Sequence, residues 1–110
     1  MPMGEVTSAG EAFIAGLIAQ NIQNFKIRLY NGQTFVKTLP INVQQSGTNV
    51  LIHAEDDSSD EYTFDRFYIE DANGVQYWYY FAGSTDKHKA DRVVIDWTIP
   101  VTNPPLQNTV

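Results

Sequence analysis

The chain has 110 residues, no cysteine, 43% apolar and 13% aromatic side chains, and a formal net charge of −6. A chain of this length and apolar content builds a single core, and without cysteine there are no disulfides, thiolate metal sites, iron–sulfur clusters or cysteine nucleophiles. No run reaches the ~20 apolar residues that cross a bilayer, and the start lacks a basic stretch followed by an apolar one, so neither a membrane protein nor a classically secreted one is expected.

In chain order, Ser8 with Glu11 three residues on reads as a capping box, opening a helix over about residues 8–22. Ala12, Phe13, Gly16, Leu17 and Ala19, with Ile14, Ile18 and Ile22, place apolar groups around most of the cylinder, the pattern of a helix buried on more than one face. Gly10 and Gly16 permit close backbone approach, and Asn21 and Asn24 are stop signals. From Phe25 the period becomes two: Phe25, Ile27 and Leu29 alternate with Lys26, Arg28 and Tyr30 as a half-buried strand. Asn31-Gly32 predicts a tight hairpin with positive φ at both central positions, and Thr34–Leu39 returns until Pro40 removes a ladder donor.

Gln44–Asn49 reads as a polar loop, Val50–Ala54 as a short strand running to Glu55, and Asp56–Asp60 as a solvated turn. Tyr62–Glu70 is a strand whose apolar parity slips between Phe64 and Phe67, which predicts a bulge near Asp65-Arg66. Asp71-Ala72-Asn73-Gly74 forms a second hairpin turn. Beyond it, Val75, Tyr77, Tyr79 and Phe81 share one face while Gln76, Trp78, Tyr80 and Ala82 share the other. A strand with aromatics on both faces is expected to be central or to face a partner. Gly83–Ala90 reads as a polar loop and Asp91–Ile99 as the last strand, with Val93, Ile95, Trp97 and Ile99 in register. The prolines of residues 100–110 favour an extended arm. The expected fold class is mainly β: a compact antiparallel sandwich or barrel of about six strands with one N-terminal helix and an extended C-terminal tail. It divides into one domain, residues 1–99, and the arm, 100–110.

Catalytic motifs are absent: there is no Gly-rich phosphate loop, no Gly-x-Ser-x-Gly elbow and no His-Glu-x-x-His, so no enzyme and no cofactor are expected. The seven bases (Lys26, Arg28, Lys37, Arg66, Lys87, Lys89, Arg92) are scattered rather than massed, which disfavours nucleic acid as a direct partner. His53 and His88 read as packed or solvent-facing residues in preference to a general base or metal ligand. Asp56, Asp57, Asp60 and Glu61 form a carboxylate cluster whose alternatives are a solvated turn and a calcium loop lacking the EF-hand spacing. The aromatic group Tyr62, Phe64, Phe67, Tyr68, Tyr77, Trp78, Tyr79 and Tyr80 serves a core plus an interface, with sugar stacking as the competing use.

The segment Ser8–Ala19, SAGEAFIAGLIA, resembles the opening helix of bacteriophage tail-fibre adaptor and baseplate-associated proteins. Phe64–Gly83 is similar to their hairpin, in which an R-E-I-G-L-Y-D-x-x-G strand precedes the turn; Arg66, Tyr68, Ile69, Asp71 and Gly74 fit it, while Ile69-Glu70 replaces the usual Gly-Leu. The resemblance implies a non-enzymatic virion structural subunit of tail, baseplate, neck or fibre attachment, assembled in the host cytoplasm. Its partners would be copies of itself and other virion proteins. The expected interface residues are Phe13, Leu17 and Ile18 on the helix, Trp78 and Tyr80 on the aromatic strand, and Pro104, Pro105 and Leu106 in the arm. The competing classes are an acidic inhibitor of a nucleic-acid enzyme, which would spread carboxylates evenly over one face, and a carbohydrate-binding module, which would show an exposed row of coplanar aromatics.

Overall fold

The computed structural model describes residues 6–99; the arm, 100–110, with Pro104, Pro105 and Leu106, lies outside the described residues. One helix, α1 (Ser8–Asn21), precedes seven strands: β1 (Lys26–Asn31), β2 (Thr34–Pro40), β3 (Asn42–Ser46), β4 (Asn49–Asp56), β5 (Tyr62–Glu70), β6 (Gln76–Lys87) and β7 (Val93–Ile99). They form two antiparallel sheets, β2-β1-β5-β6 and β3-β4-β7, so the mainly β sandwich expected from the sequence is the fold observed.

The N-cap lies one residue earlier than predicted. Thr7, not Ser8, stands at the N-cap with an extended backbone, and its hydroxyl accepts from the Gly10 amide at 3.1 Å. Asn21 closes the helix, its side-chain amide donating to the Leu17 carbonyl at 2.6 Å. Within α1 only Ala15 and Ala19 are buried, against β3 and β4; the expected burial on several faces is not what the chain adopts. Small side chains on that one face let the helix lie close to the sheet. A Cβ on Gly16 would meet the Gln45 side chain at 3.3 Å, and Gln45 donates from there to the Ala12 carbonyl at 2.9 Å.

Strand alternation builds the core. Ile27 and Leu29 of β1, Phe67 and Ile69 of β5, Val50, Ile52 and Ala54 of β4, and Ile95 and Ile99 of β7 all point between the sheets and are buried, as period-two patterning requires. Two sequence expectations fail here. Residues 44–49 are not a loop: β3 and β4 pair from Asn42↔His53 to Ser46↔Asn49, with Gly47 at φ +61 turning the chain. Nor is 83–90 a loop throughout, since β6 runs on to Lys87, which is fully buried. Its ammonium donates to the carbonyls of Ser58 at 2.5 Å and Asp60 at 2.8 Å, so four methylenes and a charge are sequestered because the β4–β5 loop supplies the acceptors.

The Asn31-Gly32 hairpin forms, but only Gly32 has positive φ, at +62. Gln33 keeps negative φ, so glycine occupies the first central position of a turn closed by Asn31↔Thr34. The bulge near Asp65 is present, and most of it lies in β6. Phe64 pairs with Thr85 and Arg66 with Phe81, leaving Ala82, Gly83 and Ser84 opposite Asp65 alone, with Gly83 at φ +77.

Candidate interaction surface

The aromatic strand β6 is an edge of the four-stranded sheet rather than its centre. Central positions go to β1 and β5, whose outward residues are fewer and better covered. Pairing in the β5–β6 ladder sets the two faces of β6. Opposite Phe67 and Ile69, Tyr80 and Trp78 turn inward: Trp78 packs against the core, and Tyr80 stacks on Phe67 with centroids 5.3 Å apart. Tyr79 and Phe81, opposite Tyr68 and Arg66, turn outward and are 65% and 60% exposed.

They continue a band across the outer face of the sheet, through Tyr68 and Tyr30 to Phe35 on β2. Tyr30 meets Tyr68 at 5.3 Å and 84°, and Phe35 at 5.8 Å and 72°. Two guanidinium groups lie on ring faces, Arg28 at 4.2 Å from the centre of Phe35 and Arg66 at 4.8 Å from Phe81, an arrangement favoured by the ring quadrupole. Beneath them Glu70 is buried on the outward side. It accepts from the Tyr30 hydroxyl at 2.9 Å and the Gln76 amide at 3.1 Å, with Arg28 Nε 3.6 Å away. Burial, then the Glu70 carboxylate, pushes the Tyr30 phenol up. Asp65 binds Arg66 through both oxygens and accepts from the Gly32 amide at 2.9 Å, fixing the β1–β2 turn against β5.

A second apolar exposure lies on the helix, where Phe13 is 68% exposed and Leu17, one turn on, 45%. Ile18 packs against the core. The residues picked from sequence are therefore not one patch: Phe13 and Leu17 face outward on α1, Ile18 and Trp78 pack inward, and Tyr80 stands half-exposed at the sandwich's open side. Tyr79, Phe81 and Phe35, exposed on the outer sheet face, were not among the interface residues picked, although Tyr79 stood in the aromatic group. Ladder parity against β5 selects the two on β6, and the register shift between Leu29 and Tyr30 sets Phe35 opposite Tyr30.

The acidic segment 56–61 is engaged internally. Asp56 accepts from the Tyr62 hydroxyl at 2.6 Å and the Ser58 amide at 2.9 Å, and Lys37 binds Asp60 at 2.5 Å. Among the described residues no group of three histidines or acids converges as metal ligands. His53 bridges Asp96 at 2.5 Å through Nδ1 and Glu55 at 2.8 Å through Nε2, and Arg92 binds the same Glu55. Hydrogen bonds to Asp96 and then to Glu55 raise the imidazole above its ordinary value.

Exposed tyrosines, phenylalanines and arginines of this kind are the groups that carry binding energy at protein interfaces. Set against protein-family models, curated proteins and solved structures, the chain matches none.

Proposed function

We propose that this chain is a non-enzymatic assembly subunit that binds copies of itself and neighbouring proteins through the outer face of the four-stranded sheet and its β6 edge. The observation that carries this reading is the exposure of Tyr79 and Phe81, with Phe35, on one face bordered by arginines. Contiguous exposed aromatics of this kind mark interaction sites, and an edge strand offers unpaired backbone groups beside them. The finer reading, from the resemblance of Ser8–Ala19 and Phe64–Gly83, is a bacteriophage virion subunit of tail, baseplate, neck or fibre attachment. Sugar binding is less well supported: neighbouring rings cross at 46° to 84°, whereas a row of sugar-stacking rings would be coplanar. Phosphate mimicry also fits poorly, because Asp65, Glu55 and Asp60 are each paired with a base.

The test is solution mass by light scattering after size exclusion, with negative-stain microscopy of the same fractions. Rings, tubes or discrete oligomers are expected from the natural chain, and the double variant Tyr79→Ser/Phe81→Ser should shift it to monomer with its melting temperature retained. A natural chain of about 12 kDa at every concentration, or a double variant that assembles unchanged, would overturn the reading.

A further inference from the structure

On the open side of the sandwich, between β6 and β7, lies a cleft of about 590 Å³. Its floor and walls are aromatic: Phe67 lies 5.3 Å from both Tyr80 and Trp97, stacked on the first and edge-on to the second. Asp86, Asp91 and Asp96 stand among its lining residues, with Lys87 and Arg92 beside them. Among the described residues both flanking strands are sheet edges. We propose that this cleft receives the proline-rich arm, residues 100–110, of a second copy of the chain. The inference rests on the assembly reading above and names the contact that would join one copy to the next.

Three observations select that occupant. The arm carries Pro100, Pro104 and Pro105 with Leu106, and a proline-rich segment is pre-extended, loses little entropy on binding, and is recognised by grooves lined with aromatic rings. It has no charged side chain, so the acidic residues of the cleft do not repel it, while Asn103, Gln107 and Asn108 bring amides to the bare strand edges. Its origin also matters. The arm follows Ile99, two residues beyond Trp97 on β7, and a residue preceding proline is held extended. The cleft is lined by residues 91–97, upstream of Ile99, so an arm would have to reverse along β7 to fill the cleft of its own chain, whereas eleven residues at ~3.1 Å each can reach roughly 34 Å to a neighbour's. Arm-to-cleft contact is head-to-tail, the kind of interface that propagates into rings or filaments.

The experiment uses two full-length variants, an arm variant (Pro104→Asp/Pro105→Asp/Leu106→Asp) and a cleft variant (Tyr80→Asp), with Tyr80→Phe as the conservative control. Near-ultraviolet circular dichroism checks that each is folded, and light scattering reads the mass. Each variant alone should lose at least tenfold in association, Tyr80→Phe should assemble normally, and an equimolar mixture of the two defective chains should yield a two-chain species, since one intact arm and one intact cleft remain. If the arm variant assembles like the natural chain while Tyr79→Ser/Phe81→Ser dissociates, the docking of the arm is overturned and the assembly reading stands. Failure of the mixture to pair also overturns the docking, and a natural chain that stays monomeric overturns both. Should Tyr80→Asp not fold, the arm variant decides alone: unchanged assembly overturns the docking, and tenfold loss supports it.

Discussion

Asp56 shows how one carboxylate can be worth more than a surface acid. Burial alone would raise its pKa, but hydrogen bonds from Ser58 and the Tyr62 hydroxyl outweigh burial, with Lys37 nearby, and hold it at about 2. A folded pKa below the unfolded one stabilises above the unfolded value, and that stability is lost as pH falls through the carboxylate range toward 2. Its depression corresponds to about 2 kcal/mol at neutral pH. Asp56→Asn should therefore unfold in urea with about 2 kcal/mol less stability at pH 7, and the gap to the natural chain should close toward pH 2. His53 has the opposite sign. Its pKa is raised by Asp96 and Glu55, so its contribution is complete below about pH 6.5 and disappears as pH rises through the folded value. Melting temperature measured from pH 6 upward should show a fall that His53→Gln lacks, and the imidazole is the group to follow by NMR titration.

Two hairpins of identical build punctuate the elements. Gly32 and Gly47 each occupy the first of two central turn positions at φ near +60, and a Cβ at either would meet nothing within 4 Å. The cost of alanine there is backbone strain alone, about 1 kcal/mol at each site. Gly32→Ala and Gly47→Ala should lower chemical-denaturation stability by that amount, roughly additively because the turns lie in different sheets. A much larger loss at one site would mean that the turn does more than reverse the chain. The same economy governs α1, which attaches through Ala15, Ala19 and the Gln45 side chain, leaving Phe13 and Leu17 outward.

Among the described residues, the outer sheet face exposes Phe35, Tyr79 and Phe81, and the helix exposes Phe13 and Leu17. If that surface is covered by other copies, folding and association are linked, and melting temperature should rise with protein concentration. Working at a hundredfold above the dissociation constant adds about 2.7 kcal/mol, several degrees for a domain of this size. Calorimetry over a hundredfold concentration range checks this; Tyr79→Ser/Phe81→Ser should flatten the dependence. The sequence by itself determined the fold class, one N-terminal helix, most strands, both proline-independent hairpin turns after Asn31 and Asp71, and the bulge at Asp65, because local periodicity and turn chemistry act within a few residues. It missed β3, whose Asn-Val-Gln-Gln-Ser run has a single inward side chain, Val43, and so carries almost no alternation. It left β6 either central or facing a partner, because aromatics on both faces read alike from either position. Only the pairing of β5 with β1 and of β7 with β4, contacts made across tens of residues, decided that β6 is an edge, that Tyr79 and Phe81 face outward, and that Lys87 is buried.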